Sequence, residues 1–332
     1  MGIAADFRWV GPHGIGRFAR EVLARLDEVY PAKIRTKLLH PLDPIAQMIW
    51  LINNRPHAYF SPGFNPPAYS VVPFVFTIHD LIHLRYKQET SRYKYVYYNA
   101  IVRPAAWRAY KVLTVSEFSR REILEWSGLP ESSVQVVGNG VSPEFSSEGR
   151  KYDPGYPYLI CIGSTKPHKN IKRLFRAYAL SGLASEVGLV CIGLLSSEEL
   201  RLIKDLKISK YVDLVGAVTD SELPMYYRGA LAHVFPSLYE GFGLPPLEAM
   251  ASGTPVVASS STAMPEVIGD AAIYVNPRDT ESIAEGMRIV VVDESLREEL
   301  RRKGLQRAKL FSWDKTAEII RRILREAAGR DF

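Results

Sequence analysis

Short apolar stretches rich in β-forming residues alternate with amphipathic helical stretches along most of the chain, and this alternation restricts the fold more than any other feature. Because parallel strands are joined by crossover helices, it predicts parallel sheets with helices on both faces. The pattern starts again near residue 158, so we expect two doubly wound, Rossmann-like α/β domains. The predicted strands are 73–79, 112–116, 158–163, 187–193, 233–236, 255–258 and 273–275, and the predicted helices are 17–29, 117–127, one from about 170, and 313–328.

The predicted boundary between the domains is a segment rich in Pro, Gly and Ser. Residues 142–157 lack apolar periodicity, which is typical of a linker. A chain of 332 residues is long enough for two domains. We therefore expect an N-terminal domain over residues 1–148 and a C-terminal domain over 149–310. Residues 311–332 should form a last helix, capped by Ser312, that crosses back to the N-terminal domain.

Composition and charge narrow the class of protein. No apolar run approaches the ~20 residues of a membrane span, and the first residues lack the pattern of a secretory signal, so we expect a cytoplasmic protein. Cys161 and Cys191 lie inside apolar runs, as expected of buried, reduced thiols. The net charge is +6, and residues 1–150 carry 18 Lys and Arg against 13 Asp and Glu. A basic half of this kind suits nucleic acid, an anionic membrane or an acidic substrate.

Two glutamates stand close together in the sequence YEGFGLPPLEAM, residues 239–250. The prolines are tolerated only at the start of a helix, so Glu240 should lie in a loop and Glu248 in the first turns of a helix. The amides of Phe242, Gly243 and Leu244 could face a phosphate at the helix N-terminus. Carboxylates accept hydrogen bonds from paired hydroxyls, so the set suits a nucleotide sugar. Without further context, a purely structural interpretation is equally good. In it Glu240 is only a charge in a loop, and Glu248 is an acid that the helix dipole favours in the first turns.

The surrounding sequence resembles a known enzyme family. The string FPSLYEGFGLPPLEAMASGTPVVAS, residues 235–259, closely resembles the signature of the family 4 glycosyltransferases, which are retaining enzymes with the GT-B fold. Six more segments occur in the family's order. These are GIGR at 14–17, TIHD at 77–80, TVSEFS at 114–119, NGV at 139–141, GSTKPHKN at 163–170 and MPEVIGDAA at 264–272. The resemblance implies two Rossmann-like domains facing a central cleft.

The resemblance also implies roles for individual residues. His79, Lys169 and Glu240 are expected to be catalytic, with Lys169 against the donor diphosphate and the other two against the donor sugar. Glu248 is expected to hold the ribose hydroxyls. The family usually has arginine just before this lysine, whereas this chain has His168, with Lys166 nearby. The other expected donor-binding residues are Gly14, Gly16, Ser164, His168, Gly216, Val218, Gly241, Phe242, Gly243 and Leu244.

No Asp-x-Asp occurs in the sequence, so Lys169 and a helix dipole would replace the metal of the other common glycosyltransferase fold, and no cofactor is expected. The resemblance implies retention of configuration. GDP-mannose is the favoured donor, with UDP- and dTDP-sugars as alternatives, and the acceptor is a saccharide or a lipid-linked saccharide. An epimerase or phosphorylase on the same fold, and a basic nucleic-acid-binding protein, are the competing hypotheses. The nucleic-acid-binding hypothesis has no motif to support it, because the sequence contains no zinc-ligand spacing and no RNP-like string.

The basic, tyrosine-rich segment of residues 85–111 has two interpretations. Seven Lys and Arg stand against one acid, Glu89, and six tyrosines and Trp107 are interleaved with them. Such a segment could dock at the inner face of the cytoplasmic membrane, because aromatic rings suit the interface and cations suit lipid phosphate. It could equally be a packed helix whose tyrosines fill the core.

Overall fold

Each half of the chain forms a parallel sheet, as the repeated alternation predicts, and each sheet has six strands. The computed structural model describes residues 2–329, without the side chain of Lys87. Contacts between residues divide it into two units. The N-terminal unit holds the described residues of 1–140 and 312–332, and the C-terminal unit holds residues 141–311. These divisions lie close to the predicted boundaries at 148/149 and 310/311.

The sheet of the N-terminal unit has the order β2-β1-β3-β4-β5-β6, and its strands pair in parallel. The strands are β1 (Ile3–Ala5), β2 (Val29–Pro31), β3 (Ala58–Ser61), β4 (Phe74–Thr77), β5 (Lys111–Thr114) and β6 (Val134–Val136). The helices are α1 (Gly14–Leu23), α2 (Asp43–Asn54), α3 (Ile82–Arg85), α4 (Arg92–Tyr97), α5 (Arg103–Arg108) and α6 (Glu117–Ser127), with a π-helical turn at Tyr98–Val102.

The sheet of the C-terminal unit has the order β12-β11-β10-β7-β8-β9, again with parallel pairing. Read from β9, this is the 3-2-1-4-5-6 order of the Rossmann fold. The strands are β7 (Tyr158–Gly163), β8 (Gly188–Gly193), β9 (Val212–Gly216), β10 (Ala232–Phe235), β11 (Val256–Ser259) and β12 (Ala272–Val275). The helices are α7 (Ile171–Ser181), α8 (Ser197–Asp205), α9 (Leu223–Gly229), α10 (Leu244–Ala251), α11 (Met264–Ile268), α12 (Thr280–Val292) and α13 (Glu294–Ala308).

The apolar runs that predicted the strands form the buried core of the C-terminal unit. Leu159, Cys161 and Cys191 lie on the central strands and pack with Phe175 from α7. Both cysteines are free thiols, as predicted, although their strands pair them directly across the ladder. A hydrogen bond to Cys191 and burial raise the pKa of the Cys161 thiol, so it stays protonated.

The segment predicted to be a linker packs on the C-terminal unit. The amide of Tyr152 donates to the carbonyl of Met225, at 2.9 Å, and the Tyr152 ring centroid lies 4.6 Å from that of Tyr226. The guanidinium of Arg228 donates to the carbonyl oxygens of Arg150 and Ser146, at 2.8 Å and 3.0 Å. Composition alone does not reveal these contacts, because main-chain carbonyls are the acceptors.

Helix α14 (Trp313–Ala327) begins where the sequence predicts and packs on α1, β3 and β4 of the N-terminal unit. The Ser312 hydroxyl accepts from the amide of Asp314 at 3.2 Å, which is the predicted cap. Trp313 is buried beside Phe18, and Arg325 pairs with Glu28 at 3.0 Å. Among the described residues, no helix combines the length and the apolar character that crossing a bilayer would require.

Candidate active site

The order in which the chain adds strands to the C-terminal sheet reverses between β7 and β10. From β7 the chain moves outward through β8 to β9, then returns to the other side of β7 with β10. Doubly wound sheets bind ligands beyond the carboxyl ends of the two strands at such a reversal. The segments leaving these ends are residues 164–170 and 236–243, which contain Lys169 and Glu240.

Lys169 and Glu240 form an ion pair at this point. Nζ of Lys169 lies 2.7 Å from Oε1 of Glu240, and the two side chains are 21% and 13% exposed. The ammonium also lies 5.1 Å from the centroid of the Phe235 ring. The hydroxyl of Ser237 donates to the same Oε1 at 2.6 Å. Two residues predicted from separate motifs are thus in direct contact, and these contacts fix the orientation of both side chains.

The carboxyl of Glu240 is held in its ionised form. Burial, the strongest single influence, acts to raise its pKa. The charges of Lys169 and His168 and the hydrogen bonds from Lys169 and Ser237 act the other way and together prevail, so the pKa of Glu240 is lowered from its ordinary value. Glu240 is therefore a hydrogen-bond acceptor near neutral pH, which does not suit a general acid.

Asn170 anchors the turn that carries Lys169. Its φ is 62°, in the left-handed region, which asparagine tolerates better than most residues. Its Nδ2 donates to the carbonyl oxygens of Pro236 and Pro277, at 2.9 Å and 2.7 Å, and its Oδ1 accepts from Nη1 of Arg173 at 2.9 Å. The turn after β7 is thereby tied to the chain leaving β10.

Ser237 makes a second connection between the same two segments. Its hydroxyl lies 3.0 Å from the carbonyl oxygen of His168, which also accepts from the amide of Leu238 at 2.7 Å. Sequence analysis did not single out Ser237 or Asn170, although both lie inside the motifs that carried the resemblance. A side chain that contacts backbone of a distant segment gives no periodic or compositional signal.

The loop after Glu240 is fixed from the segment that precedes α11. The amide of Glu240 donates to the hydroxyl of Thr262 at 3.1 Å, and the amide of Ala263 donates back to the carbonyl of Glu240 at 3.4 Å. Gly243 has φ 109°, and a Cβ there would lie 2.4 Å from Cε of Met264. The left-handed backbone conformation and the lack of space for a Cβ atom both require glycine at this position.

The predicted interruption between the two glutamates is confirmed. Strand β10 ends at Phe235, the loop runs through Gly243, and α10 begins at Leu244 with its prolines in the first turn. Glu248 lies one turn into α10 and is buried. Gly241 and Phe242 are also buried in the loop. The amides of residues 242–244 therefore lie at the positive end of the helix dipole.

The other predicted donor residues lie at different distances from the ion pair. His168 is buried, and its charge contributes to lowering the pKa of Glu240, whereas Lys166 is exposed. The Ser164 hydroxyl accepts from the amide of Lys166 at 3.2 Å. Gly216 ends β9 with φ 80° and has open space around it, and the half-buried Val218 follows. Both belong to the far edge of the sheet, two strands from β7.

His79 follows β4 in the N-terminal unit. Its Nε2 lies 2.9 Å from the carbonyl oxygen of Pro62, and its ring meets that of Phe18 edge-on with centroids 4.8 Å apart. Burial lowers the pKa of His79 to about 4, the Pro62 hydrogen bond opposes this, and His13 reinforces it. The imidazole is therefore neutral near pH 7.

Gly14 and Gly16 lie inside a helix and not before it, as a helix predicted to begin at residue 17 would have required. Helix α1 begins at Gly14 rather than near Arg17, so both glycines belong to its first turn. The amide of Gly16 donates to Nδ1 of His13 at 2.9 Å, and a Cβ on Gly16 would lie 2.2 Å from the carbonyl oxygen of Gly11. The side chain of His13 caps the helix, and Gly16 permits a close approach of two backbone segments.

In residues 2–329, the side chains of His, Cys, Asp and Glu form no group of three or more that could hold a metal ion.

Comparison with known proteins agrees with this architecture. Residues 6–145 match the family model for Glycosyltransferase Family 4, and residues 144–307 match that for glycosyl transferases group 1. O-antigen chain mannosyltransferase B of Escherichia coli is 31% identical over 293 residues, covering 84% of this chain and 76% of that protein. Serotype-specific mannosyltransferase WbdA of Escherichia coli is 30% identical over 73% of this chain, which spans about a third (32%) of WbdA.

The fold extends over the whole chain. The solved structure of sucrose-phosphate synthase (tll1590) from Thermosynechococcus elongatus matches 99% of this chain and 99% of its own, with a TM-score of 0.79 at 18% sequence identity. The chain therefore belongs to the family 4, group 1 glycosyltransferases, and is a hexosyltransferase with the GT-B fold.

Proposed function

We propose that this enzyme transfers mannose from GDP-mannose to a hydroxyl of a saccharide or lipid-linked saccharide during surface-polysaccharide assembly, with retention of configuration and without a metal ion. The observation that carries the proposal is the Lys169–Glu240 ion pair at the reversal of the C-terminal sheet. The choice of mannose is supported by the relatives, because several are named as mannosyltransferases.

Lys169 stabilises the leaving group in this scheme. Its ammonium offers three hydrogen-bond donors. Negative charge grows on the diphosphate oxygen as the bond to the anomeric carbon breaks, and a fixed positive group there lowers the barrier. The amides of residues 242–244 at the start of α10 add partial positive charge for the same diphosphate.

Glu240 orients the donor sugar. Its Oε1 accepts from Lys169 and Ser237, and within residues 2–329 its Oε2 has no hydrogen-bond partner. That oxygen accepts from a sugar hydroxyl, while Glu248 accepts from the ribose hydroxyls. His79, neutral near pH 7, contributes a hydrogen bond to the sugar rather than a charge.

The chemical step exchanges one bond at the anomeric carbon for another. The acceptor oxygen attacks from the face that the diphosphate leaves, the carbon–diphosphate bond breaks, and the acceptor proton passes to a diphosphate oxygen. No enzyme group is consumed. Proton NMR of the product tests the stereochemistry, and an inverted anomer contradicts the proposal, as does a glycosyl-enzyme adduct detected by mass spectrometry.

Thermal shift with GDP, UDP and dTDP tests the donor. A nucleotide present at 100 times its Kd stabilises the folded state by about 2.7 kcal/mol. Because GDP is expected to have the lowest Kd of the three nucleotides, it should give the largest shift. Lys169→Met should reduce the extra stabilisation by GDP over guanosine, with the exposed Lys204→Met as the matched control. Equal shifts with all three nucleotides would remove the support for GDP.

Turnover should be unchanged by EDTA, and loss of activity that Mg²⁺ or Mn²⁺ restores would refute metal independence.

A further inference from the structure

Helix α2 buries two polar side chains together with Pro44 and Leu51, and it leaves a row of apolar side chains exposed. Asp43 and Gln47 are fully buried. Leu42, just before the helix, and Ile45, Ile49 and Ile52 within it are 40–56% exposed. Their spacing of three, four and three residues places the four side chains in one stripe along the helix. A helix held only by apolar burial would have the opposite orientation.

The orientation of α2 is set by a buried polar network. Nη1 of Arg8 lies 2.6 Å from Oδ1 of Asp43, and Nδ2 of Asn65 donates to Oδ2 of Asp43 at 2.8 Å. Gln47 donates to the same Oδ2 at 2.9 Å and accepts from the hydroxyl of Tyr59 at 3.0 Å. Rotating α2 to bury the isoleucines would leave a carboxylate without its partners, which is costly. The apolar stripe is therefore fixed on the outside.

Helix α4 carries further exposed apolar side chains. The hydroxyl of Tyr93 donates to the carbonyl of Leu39 at 3.2 Å, which joins α4 to the loop before α2. Tyr93, Tyr95 and Val96 are exposed. We call Leu42, Ile45, Ile49 and Ile52, together with Tyr93 and Val96, the apolar surface of the N-terminal unit.

Part of the 85–111 segment matches the packed-helix interpretation. Tyr97 and Tyr98 are buried in the core. Arg85 pairs with Glu125 at 2.6 Å, and the indole Nε1 of Trp107 donates to the carbonyl of Ser127 at 3.2 Å. The packed-helix interpretation therefore holds for Tyr97 and Tyr98, whereas Tyr93, Tyr95 and Val96 lie at the surface.

Exposed cations flank α2 in the sequence. Lys33, Arg35 and Lys37 precede α2, Arg55 follows it, and all four are exposed. From residue 29 to residue 79 the only acidic residue is Asp43, which is buried against Arg8. Exposed aliphatic side chains on a segment whose exposed charges are all positive suit an apolar partner that carries negative charge.

We infer that the apolar surface docks on a bilayer containing anionic phospholipid, with α2 lying in the plane of the interface. At ~1.5 Å per residue, the 12-residue helix is about 18 Å long, too short for the ~30 Å apolar core, so it lies at the interface rather than spanning it. The isoleucines enter the acyl boundary and the cations contact lipid phosphates. A second copy of this chain is a poorer partner, because it would bring the same cations face to face.

Vesicle flotation of the full chain tests the inference without any sugar, so its outcome is independent of the donor and the reaction. The full chain should float with vesicles of phosphatidylcholine and phosphatidylglycerol and bind pure phosphatidylcholine much more weakly. The double variant Ile49→Gln and Ile52→Gln should reduce partitioning at least about tenfold. The matched control replaces Leu180 and Val292, exposed aliphatics of the C-terminal unit, by Gln and should bind as the unchanged chain does.

A second variant separates charge from apolar insertion. Replacing Lys33, Arg35 and Lys37 by Gln should weaken binding about fivefold for each cation removed, and more at low salt than at high salt. Trp50 lies on α2, so lipids brominated on their acyl chains should quench its fluorescence, and Trp50→Phe should remove that part of the quenching. All of the replaced aliphatics are exposed, so unchanged melting temperatures are expected and loss of binding will not reflect unfolding.

Four outcomes would overturn the inference. They are no flotation with anionic vesicles, equal binding by the Ile49/Ile52 variant, equal binding to neutral and anionic vesicles, and competition by inorganic phosphate at constant ionic strength. The last would identify a phosphate pocket instead of a surface. A lipid-free dimer that the Ile49/Ile52 variant dissociates, with vesicle binding unchanged, would identify a second copy as the partner.

Discussion

Removing the positive charge of Lys169 should change the pH at which Glu240 titrates and make the C-terminal unit less stable. In the protein, Lys169 is the strongest of the influences that lower the pKa of Glu240 against the effect of burial. Lys169→Met keeps much of the side-chain volume and removes the ammonium. Burial then acts on the carboxyl with only His168 and Ser237 opposing it, so its pKa should rise.

The energy at stake follows from the 2.7 Å separation of Nζ and Oε1. At an effective dielectric constant of about 20, direct attraction across that distance is roughly 6 kcal/mol. Desolvation of the two largely buried groups offsets most of it. A double-mutant cycle of Lys169→Met with Glu240→Gln should therefore give a coupling energy of about 1–3 kcal/mol at pH 7. Lys169→Met alone should cost about 2–4 kcal/mol, because it leaves a carboxylate with less compensation.

The sign of the pH dependence follows from linkage. In the unchanged protein, the folded pKa of Glu240 is lowered, so its contribution to stability is present above the unfolded pKa and is lost as pH falls through the folded pKa. In Lys169→Met the folded pKa is raised, so ionisation of Glu240 destabilises the variant as pH rises. The stability difference between the two proteins should be largest near pH 7 and shrink toward pH 4.

Urea unfolding at several pH values measures this difference. All five tryptophans lie outside residues 141–311, so the C-terminal unit is followed by circular dichroism and by amide hydrogen exchange in its own peptides. A coupling energy below about 0.5 kcal/mol, typical of exposed pairs, would refute the reasoning. So would a stability difference that stays constant between pH 4 and pH 7.

Three further predictions test the N-terminal glycines and two buried histidines. Gly16→Ala should destabilise the N-terminal unit by about 1–3 kcal/mol, because its Cβ would meet the Gly11 carbonyl, whereas Gly14→Ala, with nothing within 4 Å, should be neutral or stabilising by up to about 1 kcal/mol in thermal unfolding. Burial, and the charge of Lys169, lower the pKa of His233 to about 3, so stability should fall as pH drops below 6.5, and His233→Leu should flatten that part of the urea-unfolding profile. His79→Gln should lower kcat/KM without moving any pH–rate inflection between pH 5.5 and 8, because the pKa of His79 is about 4 and the ring is neutral throughout that range; a shifted inflection would contradict this.

Seven of the twelve strands in residues 2–329 could be predicted, because their signal is local. The run 158–163 is the strand β7 residue for residue, and helix 117–127 has the predicted bounds of α6. Predicted helix 17–29 was wrong at both ends. The chain is helical from Gly14 to Leu23, and Val29 already begins β2. The side chain of His13 caps the helix, and histidine is not among the usual capping residues, so the start gave no signal.

The candidate site could be predicted in part for the same reason. Lys169 and Glu240 are 71 positions apart, and each lies just after an apolar strand, so a rule about strand ends brings them to one region. Their direct contact depends on Ser237, Asn170 and Thr262, which bind backbone atoms of other segments. Backbone atoms are the same in every residue, so the sequence does not distinguish a side chain that binds them from one that faces water.

Helix α2 shows a limit of periodicity that is physical rather than statistical. The spacing of Leu42, Ile45, Ile49 and Ile52 identifies the face that avoids water, and the usual assumption assigns such a face to the protein core. Asp43 and Gln47 occupy the opposite face, and their partners Arg8, Asn65 and Tyr59 come from three other parts of the chain. Once that network exists, burying the isoleucines requires unpairing a carboxylate, which costs more than leaving four aliphatic side chains partly exposed. An apolar face alone therefore does not show where a helix packs, because the polar contacts on the other face decide whether the protein core covers it.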